Sequence, residues 1–403
     1  MESLKIAMLA PEFLPNWGGA GTYTILLARE LSKSDEIHVF TTIRSDSQSS
    51  SKKQIEDYFK GRVNIHVLST AKDRFFYNAI YQLNVARRLP VLLEKEKFDI
   101  IHSNHAHMPD LGLKLRKVRG HSITTVHTTM SSQYQGIKRS AGHIGHMDGS
   151  EKMVRFGYPF LSIIEIYYLD KTDNMIFVSD FIRRDTERIL GKPAPRGVVI
   201  RNGVDLERFR NNSVSASNPN KLNIMYCGRL LALKGLNNLM DAFAIVHKSN
   251  SGTHLTLVGG GDAGQWAETA RVSGVPDDAI TFLGQKRYEE MPGIINKADI
   301  FVLPSISESM PLSLLESMAC GRACVASRVG GIPEIITHGE DGFLFTPGNS
   351  KELADCLNRL IDDKGIRDEF GRKARERIVS NFSLKDTVSQ TRNMFLSVAG
   401  GTE

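Results

Sequence analysis

The stretch ADIFVLPSISESMPLSLLESMACG, residues 298–321, decides how the second half of this 403-residue chain folds. Its first part, DIFVL, is a short apolar run closed by Pro304, the signature of a strand buried on both faces. A serine-rich loop containing Glu308 follows, and then a helical pattern. Ser309 is placed to cap that helix and Pro311 fits its first turn, where a missing N–H costs nothing. From Leu312 onward, Leu314, Leu315, Met318 and Ala319 form the apolar side, while Ser313, Glu316, Ser317 and Cys320 recur at helical spacing on another side. Glu308 outside the helix and Glu316 well inside it cannot form a simple i,i+4 surface pair. Either they are a solvated acid and a helical surface residue, or they are two handles on one elongated ligand. At 1.5 Å rise per residue they stand roughly 10 Å apart along the helix axis, a reach compatible with the two ends of a nucleotide-sugar.

Strand, loop and helix repeat on both sides of this stretch. The first half gives the strands KIAMLA, EIHVFTT, VNIHVLS, FDIIHSN, SITTVHTT, NMIFVSD and GVVIRNGVD, interleaved with helical segments. The pattern pauses at RFRNNSVSASNPNK (208–221), rich in Asn and Ser, which reads as a linker with Asn211–Asn220 as its hinge. It then restarts with KLNIMYCG, HLTLVGGG, AITFLG, DIFVLPS and ACVASRV, each followed by a helix. Alternating short strands and helices predict α/β architecture with two doubly wound parallel sheets, in which ligands bind at the carboxyl ends of strands. The predicted boundaries are 1–205, 206–382 and a terminal helix over 383–403 that packs back toward the first domain.

Composition narrows the function classes. Hydrophobic residues at 41% and charged ones at 24% fit a soluble globular protein, and no apolar run approaches the ~20 residues of a membrane span. No secretory leader is evident, and Cys227, Cys320, Cys324 and Cys356 lack zinc spacing, so a reduced cytoplasmic setting is expected. The net charge of +6 is uneven: residues 1–205 carry 29 Lys and Arg against 22 Asp and Glu, the remainder 22 against 23. A basic first half can be merely solvated, or it can attract an anionic lipid surface or a lipid-linked acceptor through KLRKVR (114–119) and the polar segment 133–157. No basic stripe interleaved with aromatics points to nucleic acid.

Three further loops carry chemistry. PEFLPNWGGAGTY (11–23) follows the first strand and opens a helix, with Gly18, Gly19 and Gly21 allowing close backbone approach to an anion. CGRLLALKGL (227–236) sets Arg229 and Lys234 on one strand-to-helix loop, a pair suited to a diphosphate or simply two exposed cations. Gly259, Gly261 and Gly264 have dinucleotide spacing, but the acids Asp277 and Asp278 precede the next strand instead of ending it. A tight turn packing helix on sheet accounts for those glycines. His102, His105 and His107 in HSNHAH lack carboxylate partners in sequence and read as a strand-end loop rather than a metal site.

Taken together, the GG loop, VVIRNGVDLERF, GRLLALKG, LTLVGGGD, the 298–321 stretch and ASRVGGIPEIITHGEDGFLFTPGN resemble the retaining, GT-B-fold nucleotide-sugar glycosyltransferases of family 4. The likeness runs through nearly the whole chain and is densest from Asn202 to Gly342; Glu308 and Glu316 are its most specific part. It implies two Rossmann-like domains facing across a cleft. It implies that Arg229 and Lys234 hold the donor diphosphate, Glu316 the ribose hydroxyls and Glu308 the donor sugar, with His127 near the transferred sugar and acceptor. Gly18, Gly19, Asn202, Ser309, Met310 and Leu312 complete the implied substrate-binding set, several through backbone N–H groups. Pro311 stands where the family often has glycine. No cofactor and no metal are implied, since the Arg/Lys pair neutralises the leaving group. The expected reaction moves a sugar from a UDP- or GDP-sugar to a hydroxyl of a glycan, a lipid or a lipid-linked glycan, with peripheral contact at an anionic membrane. The alternatives are a non-catalytic nucleotide-sugar-binding protein and a two-lobed epimerase or phosphorylase.

Overall fold

Strands that are apolar along their whole length can be satisfied only when helices cover both faces of the sheet, which is the setting of parallel pairing. The computed structural model describes residues 3–14, 18–44, 52–71, 77–105, 108–115, 121–139, 147, 149–212 and 221–400, in two compact units.

Unit 1 comprises residues 1–129, 160–201 and 386–403. Its sheet contains β1 (Lys5–Ala10), β2 (Glu36–Arg44), β3 (Val63–Ala71), β4 (Ile100–Asn104), β5 (Ser122–Val126), β6 (Asn174–Phe177) and β7 (Arg196–Val199). Their order is β3-β2-β1-β4-β5-β6-β7, and every pairing is parallel. Ile6, Met8, Ile37, Val39, Ile100, Ile123 and Ile176 are fully buried at its centre.

Unit 2 comprises residues 130–159 and 202–385. Its strands are β8 (Leu222–Cys227), β9 (Thr253–Val258), β10 (Ile280–Phe282), β11 (Ile300–Leu303), β12 (Ala323–Ser327) and β13 (Phe343–Phe345). They run in the order β10-β9-β8-β11-β12-β13, again all parallel. The apolar part of DIFVL, Ile300–Leu303, is β11 and is buried at all four positions as expected. The predicted architecture of two parallel doubly wound sheets is present. The Asn/Ser-rich stretch begins inside unit 2, where Asn211 accepts from Arg322 Nη2 at 2.8 Å and the Asn212 N–H donates to Asn296 at 3.3 Å. Residues 213–220 lie outside the described set.

The terminal helix, Leu384–Ala399, returns to unit 1 as expected. Phe395 is fully buried in that unit's core, and Arg392 holds Asp35 with two hydrogen bonds of 2.8 Å each. Burial alone pushes the Asp35 carboxyl up, but the hydrogen bonds from Arg392, the Leu4 N–H and Ser34 outweigh it and hold the pKa below the ordinary carboxylate value.

Two segments of the basic first half are now placed. Of the polar segment 133–157, residues 133–139 belong to the helix Met130–Arg139 and 149–157 to the helix Gly149–Asp170, while 140–146 and 148 lie outside the described residues. Lys114 of KLRKVR is not a surface cation: its side chain is buried, paired with Asp110 at 3.2 Å and set over the Tyr168 ring at 4.9 Å. Residues 116–119 of that run lie outside the described residues.

Replacing Arg392 with alanine leaves the buried Asp35 carboxylate without its cation, and breaking such a pair costs about 3–5 kcal/mol. Because the Asp35 pKa is depressed, the stability it contributes is present above the unfolded carboxyl pKa and lost as pH falls through the folded value. Urea denaturation is therefore expected to show a large deficit for Arg392→Ala at pH 7 that shrinks at acid pH. An equal deficit at both would refute the pairing.

Candidate functional site

In unit 2 the strand order reverses between β8 and β11, which are parallel neighbours with Ile300 and Phe301 opposite Ile224 and Met225. The loops leaving their carboxyl ends must therefore run side by side, and this is the switch point where open α/β sheets bind ligands. One loop carries Arg229 and Lys234 and the other carries Glu308, Ser309 and Met310.

These loops meet through a charge pair. Lys234 Nζ donates to Glu308 Oε1 at 2.5 Å, and Ser305 Oγ donates to the same oxygen at 2.8 Å. The Glu308 side chain is about one-tenth exposed, that of Lys234 one-quarter. Arg229 is exposed on the same loop as Lys234. Asn202, itself buried, donates from Nδ2 to the Met310 carbonyl at 2.9 Å. Its Oδ1 is buried without a hydrogen-bond partner.

Backbone contacts fix the two loops. Gly235 has φ +70°, and a Cβ there would stand 1.9 Å from the Pro304 carbonyl oxygen. Gly330 has φ +56°, and a Cβ would stand 1.6 Å from the Glu308 carbonyl oxygen. Only glycine satisfies both demands. The Ile306 N–H donates to the Leu233 carbonyl at 2.9 Å, and the Leu233 N–H donates to the buried Glu151 carboxylate at 2.8 Å. Tyr226 and Trp266 donate to the carbonyls of Arg229 and Leu230 at 2.8 and 3.2 Å. The glycines of LTLVGGGD belong to this scaffold: a Cβ on Gly259 would meet the Gly228 carbonyl oxygen at 1.8 Å, and Gly261 bridges Leu230. The turn expected in place of a dinucleotide site is what they form.

The helix after Glu308 spans Leu312–Ala319. Its N-cap residue is Pro311, with no side-chain cap, so the expected capping role of Ser309 is not fulfilled. Pro311 keeps an extended ψ of 117° and the helix begins one residue later, leaving Ser309 in the preceding loop. Of the set Ser313, Glu316, Ser317 and Cys320, Ser313 is half-buried and the other three are buried in unit 2. Ser317 donates to the Ser313 carbonyl at 2.7 Å, and Asn296 Nδ2 lies 3.8 Å from the Cys320 sulfur. Burial raises the Glu316 pKa to about 8, with a hydrogen bond from Tyr288 pulling the other way. All four cysteines are free and buried, and burial pushes the Cys320 thiol up to about 12.

Gly18, Gly19 and His127 lie in unit 1. Gly18 is the N-cap of the helix Gly19–Leu31, and its N–H donates to Glu12 Oε1 at 2.7 Å. A Cβ on Gly19 would meet nothing within 4 Å, so packing does not demand glycine there. Residues 15–17 of this loop are outside the described set. His127 follows β5, with Nε2 3.2 Å from Asn104 Oδ1 and its ring edge-on to Tyr23 at 4.7 Å between centroids. His102 and His105 have separate partners. The first meets Thr125 at 2.8 Å, and burial lowers its pKa to about 4. The second meets the Thr128 carbonyl at 2.9 Å and Glu165 at 3.3 Å. His107 is outside the described residues. Among the described residues no group of three or more His, Cys, Asp or Glu side chains is arranged to hold a metal ion.

The sequence missed Glu151, Ser305 and the contacts of Gly235 and Gly330. The RVGGIPE segment held the signal for Gly330, whereas Glu151 sits in a segment read only as polar.

Comparison with known proteins places both halves of the chain. Residues 17–208 match the family model of glycosyltransferase family 4, and residues 207–377 that of glycosyl transferases group 1. Over 400 residues the chain is 24% identical to N-acetyl-alpha-D-glucosaminyl L-malate synthase of Bacillus anthracis, covering 95% of each. A 31% identical match to alpha-maltose-1-phosphate synthase of Mycobacterium tuberculosis covers 60% of this chain and 67% of the relative. The match to glycogen synthase of the same organism, at 28% identity, covers 59% of this chain and spans only 57% of the relative's length. The crystal structure of Anabaena HepE in complex with UDP-glucose shares the fold, with a TM-score of 0.76 at 19% identity over 98% of this chain and 100% of that one.

The raised Glu316 pKa has a measurable consequence. Its carboxyl is protonated in the folded state from about pH 4.5 to 8, where the unfolded chain has already released the proton, so its contribution to stability is present at low pH and declines as pH rises through that window. Glu316→Gln is expected to flatten the urea midpoint between pH 5 and 8. A variant as pH-dependent as the wild type would contradict the buried neutral acid.

Proposed function

This chain belongs to glycosyltransferase family 4, the glycosyl transferases group 1, and we propose that it moves a sugar from a UDP- or GDP-sugar to a hydroxyl acceptor with retention of configuration. The observation that carries the proposal is the Lys234–Glu308 pair at the β8/β11 switch point, with Arg229 on the same loop as the lysine. A diphosphate needs fixed cations and a sugar needs hydrogen-bond acceptors, and this corner of unit 2 supplies both on a backbone locked by glycine contacts.

In the proposed reaction Arg229 and Lys234 hold the diphosphate and stabilise the charge that develops on it as the bond to the sugar's anomeric carbon breaks. Glu308 accepts from the donor sugar hydroxyls, held in place by Ser305, and Glu316 accepts from the ribose, one end of the donor at each acid. The N–H groups of Ser309, Met310 and Leu312 face phosphate and sugar, and Asn202 orients that loop through the Met310 carbonyl. The acceptor oxygen attacks the anomeric carbon on the face the phosphate leaves, and the departing phosphate oxygen takes its proton. In the same reading Gly19 brings its backbone N–H to the donor phosphates, with Gly18 beside it in the substrate-binding set, and His127 lies near the transferred sugar and acceptor. The two cations supply the charge neutralisation that a divalent metal supplies elsewhere, so no metal is required. The acceptor is a glycan or a lipid-linked hydroxyl. The UDP-glucose complex of HepE supports a nucleotide-sugar donor.

A thermal-shift panel of UDP-, GDP- and ADP-sugars identifies the donor, since ligand at 100 times Kd adds about 2.7 kcal/mol of stability; no response to any of the three would count against the reaction. With the donor known, Arg229→Ala and Lys234→Ala are each expected to lower kcat/KM by about 10²–10³, read as nucleotide release. Near wild-type turnover in both removes the diphosphate clamp. A rate abolished by EDTA and restored by Mg²⁺ would remove metal independence.

A further inference from the structure

In unit 1 the strand order reverses between β1 and β4, so the helix Gly19–Leu31 that follows β1 starts beside the carboxyl end of β4. β5 runs next to β4 with Asn104 opposite Thr125, which sets His127, two residues on, beside Asn104. Three side chains meet here in series. Thr24 Oγ1 donates to the Ala20 carbonyl at 3.0 Å. Asn104 Nδ2 donates to Thr24 Oγ1, and Asn104 Oδ1 stands 3.2 Å from His127 Nε2. Thr24, Asn104 and His127 are 1%, 4% and 9% exposed, and the Tyr23 ring packs edge-on against the imidazole.

A carbonyl oxygen only accepts, so the direction of every bond in the series follows from the first. The Thr24 hydroxyl hydrogen is given to Ala20, and toward Asn104 the same oxygen is an acceptor. Asn104 must therefore turn its NH2 group to Thr24 and its carbonyl oxygen to the histidine. The flipped amide would set two acceptors against each other at Thr24, away from water. With an acceptor 3.2 Å away, Nε2 is the nitrogen that carries the proton. In the neutral ring the lone pair is then on Nδ1. Because all three side chains are buried, a mispaired donor or acceptor finds no water in compensation, and burial enforces the one arrangement. The anchor of the series is the helix backbone itself, since Ala20 and Thr24 are one turn apart.

We propose that Asn104, held by Thr24, is a positioning residue for His127. It commits Nε2 as a donor to the protein, so the histidine cannot take a proton from an acceptor hydroxyl there, and any hydroxyl that donates to the ring must do so at Nδ1. The role in transfer rests on the proposed reaction; the placement of the proton does not. The full chain, labelled with ¹⁵N-histidine, is read by long-range proton–nitrogen correlation at about pH 8.5, above the ordinary imidazole pKa. His127→Gln identifies the His127 signals among the 12 histidines. The wild type is expected to carry the proton on Nε2. Thr24→Val removes the accepting hydroxyl and should give a mixture of the two tautomers. It should also lower kcat about tenfold while the donor KM changes by less than about twofold, and Thr24→Ser should restore both tautomer and rate. Wild-type His127 with its proton on Nδ1 would overturn the proposal, and that spectrum needs no variant to fold. So would a Thr24→Val protein with its tautomer unmoved, or with the tautomer mixed and kcat at the wild-type value. The Nε2 proton in a protein that turns over none of the UDP-, GDP- or ADP-sugars supports the placement of the proton and overturns the transfer reaction instead.

Discussion

Two points where backbone touches backbone hold the candidate site together. Gly235 presses on the Pro304 carbonyl and Gly330 on the Glu308 carbonyl, each at positive φ and with no space for a Cβ. Such contacts tie three loops, those leaving β8, β11 and β12, into one frame, so the Lys234 ammonium and the Glu308 carboxylate meet without depending on long flexible side chains for their register. Unlike a charged side chain, a carbonyl pinned against a glycine cannot change rotamer. Electrostatic stabilisation of a leaving group depends on this kind of preorganisation, because dipoles already fixed need no rearrangement during reaction.

Burial divides the two acids that the sequence makes look alike. Glu308 keeps a cation and a hydroxyl at its carboxylate and a margin of exposure. Glu316, about one turn into the helix Leu312–Ala319 and buried, is held as the neutral acid, with a hydrogen bond from Tyr288 pulling the other way. A neutral carboxyl can donate as well as accept a hydrogen bond, so its chemistry toward a pair of ribose hydroxyls differs from that of Glu308 toward a sugar. Unit 1 follows the same rule: Asp35 stays ionised in the core because Arg392 from the terminal helix reaches it, whereas burial keeps His102 neutral against the opposing pull of Asp110.

The helix Gly149–Asp170 joins these themes to the surface. Its glutamates are turned inward because they have backbone and imidazole partners there, Glu151 bracing the loop that bears Lys234. Tyr168 is buried beside them, whereas Phe156 and Phe160 are exposed. The start of this helix thereby supports the loop of the proposed donor site.

The order of strands and helices, the parallel sheets, the buried run of β11 and the placing of Lys234 and Glu308 in strand-end loops were legible in the sequence. Apolar runs, proline punctuation and helical spacing are local properties, and parallel sheets place strand-end loops together by necessity. The helix over 149–170 was not read from the sequence, although Met153, Phe156, Phe160, Ile163 and Tyr167 recur at helical spacing, because its residues do not divide into one apolar and one polar side: Glu151 and Glu165 are buried with Val154, Tyr168 and Leu169. Nor could spacing give the burial of Lys114, the neutral state of Glu316, or the N-cap at Pro311 instead of Ser309. Those depend on which groups the fold withdraws from water and what it offers them in exchange. Desolvation and partnering are set by residues distant in sequence, so they exist only once the tertiary structure has formed.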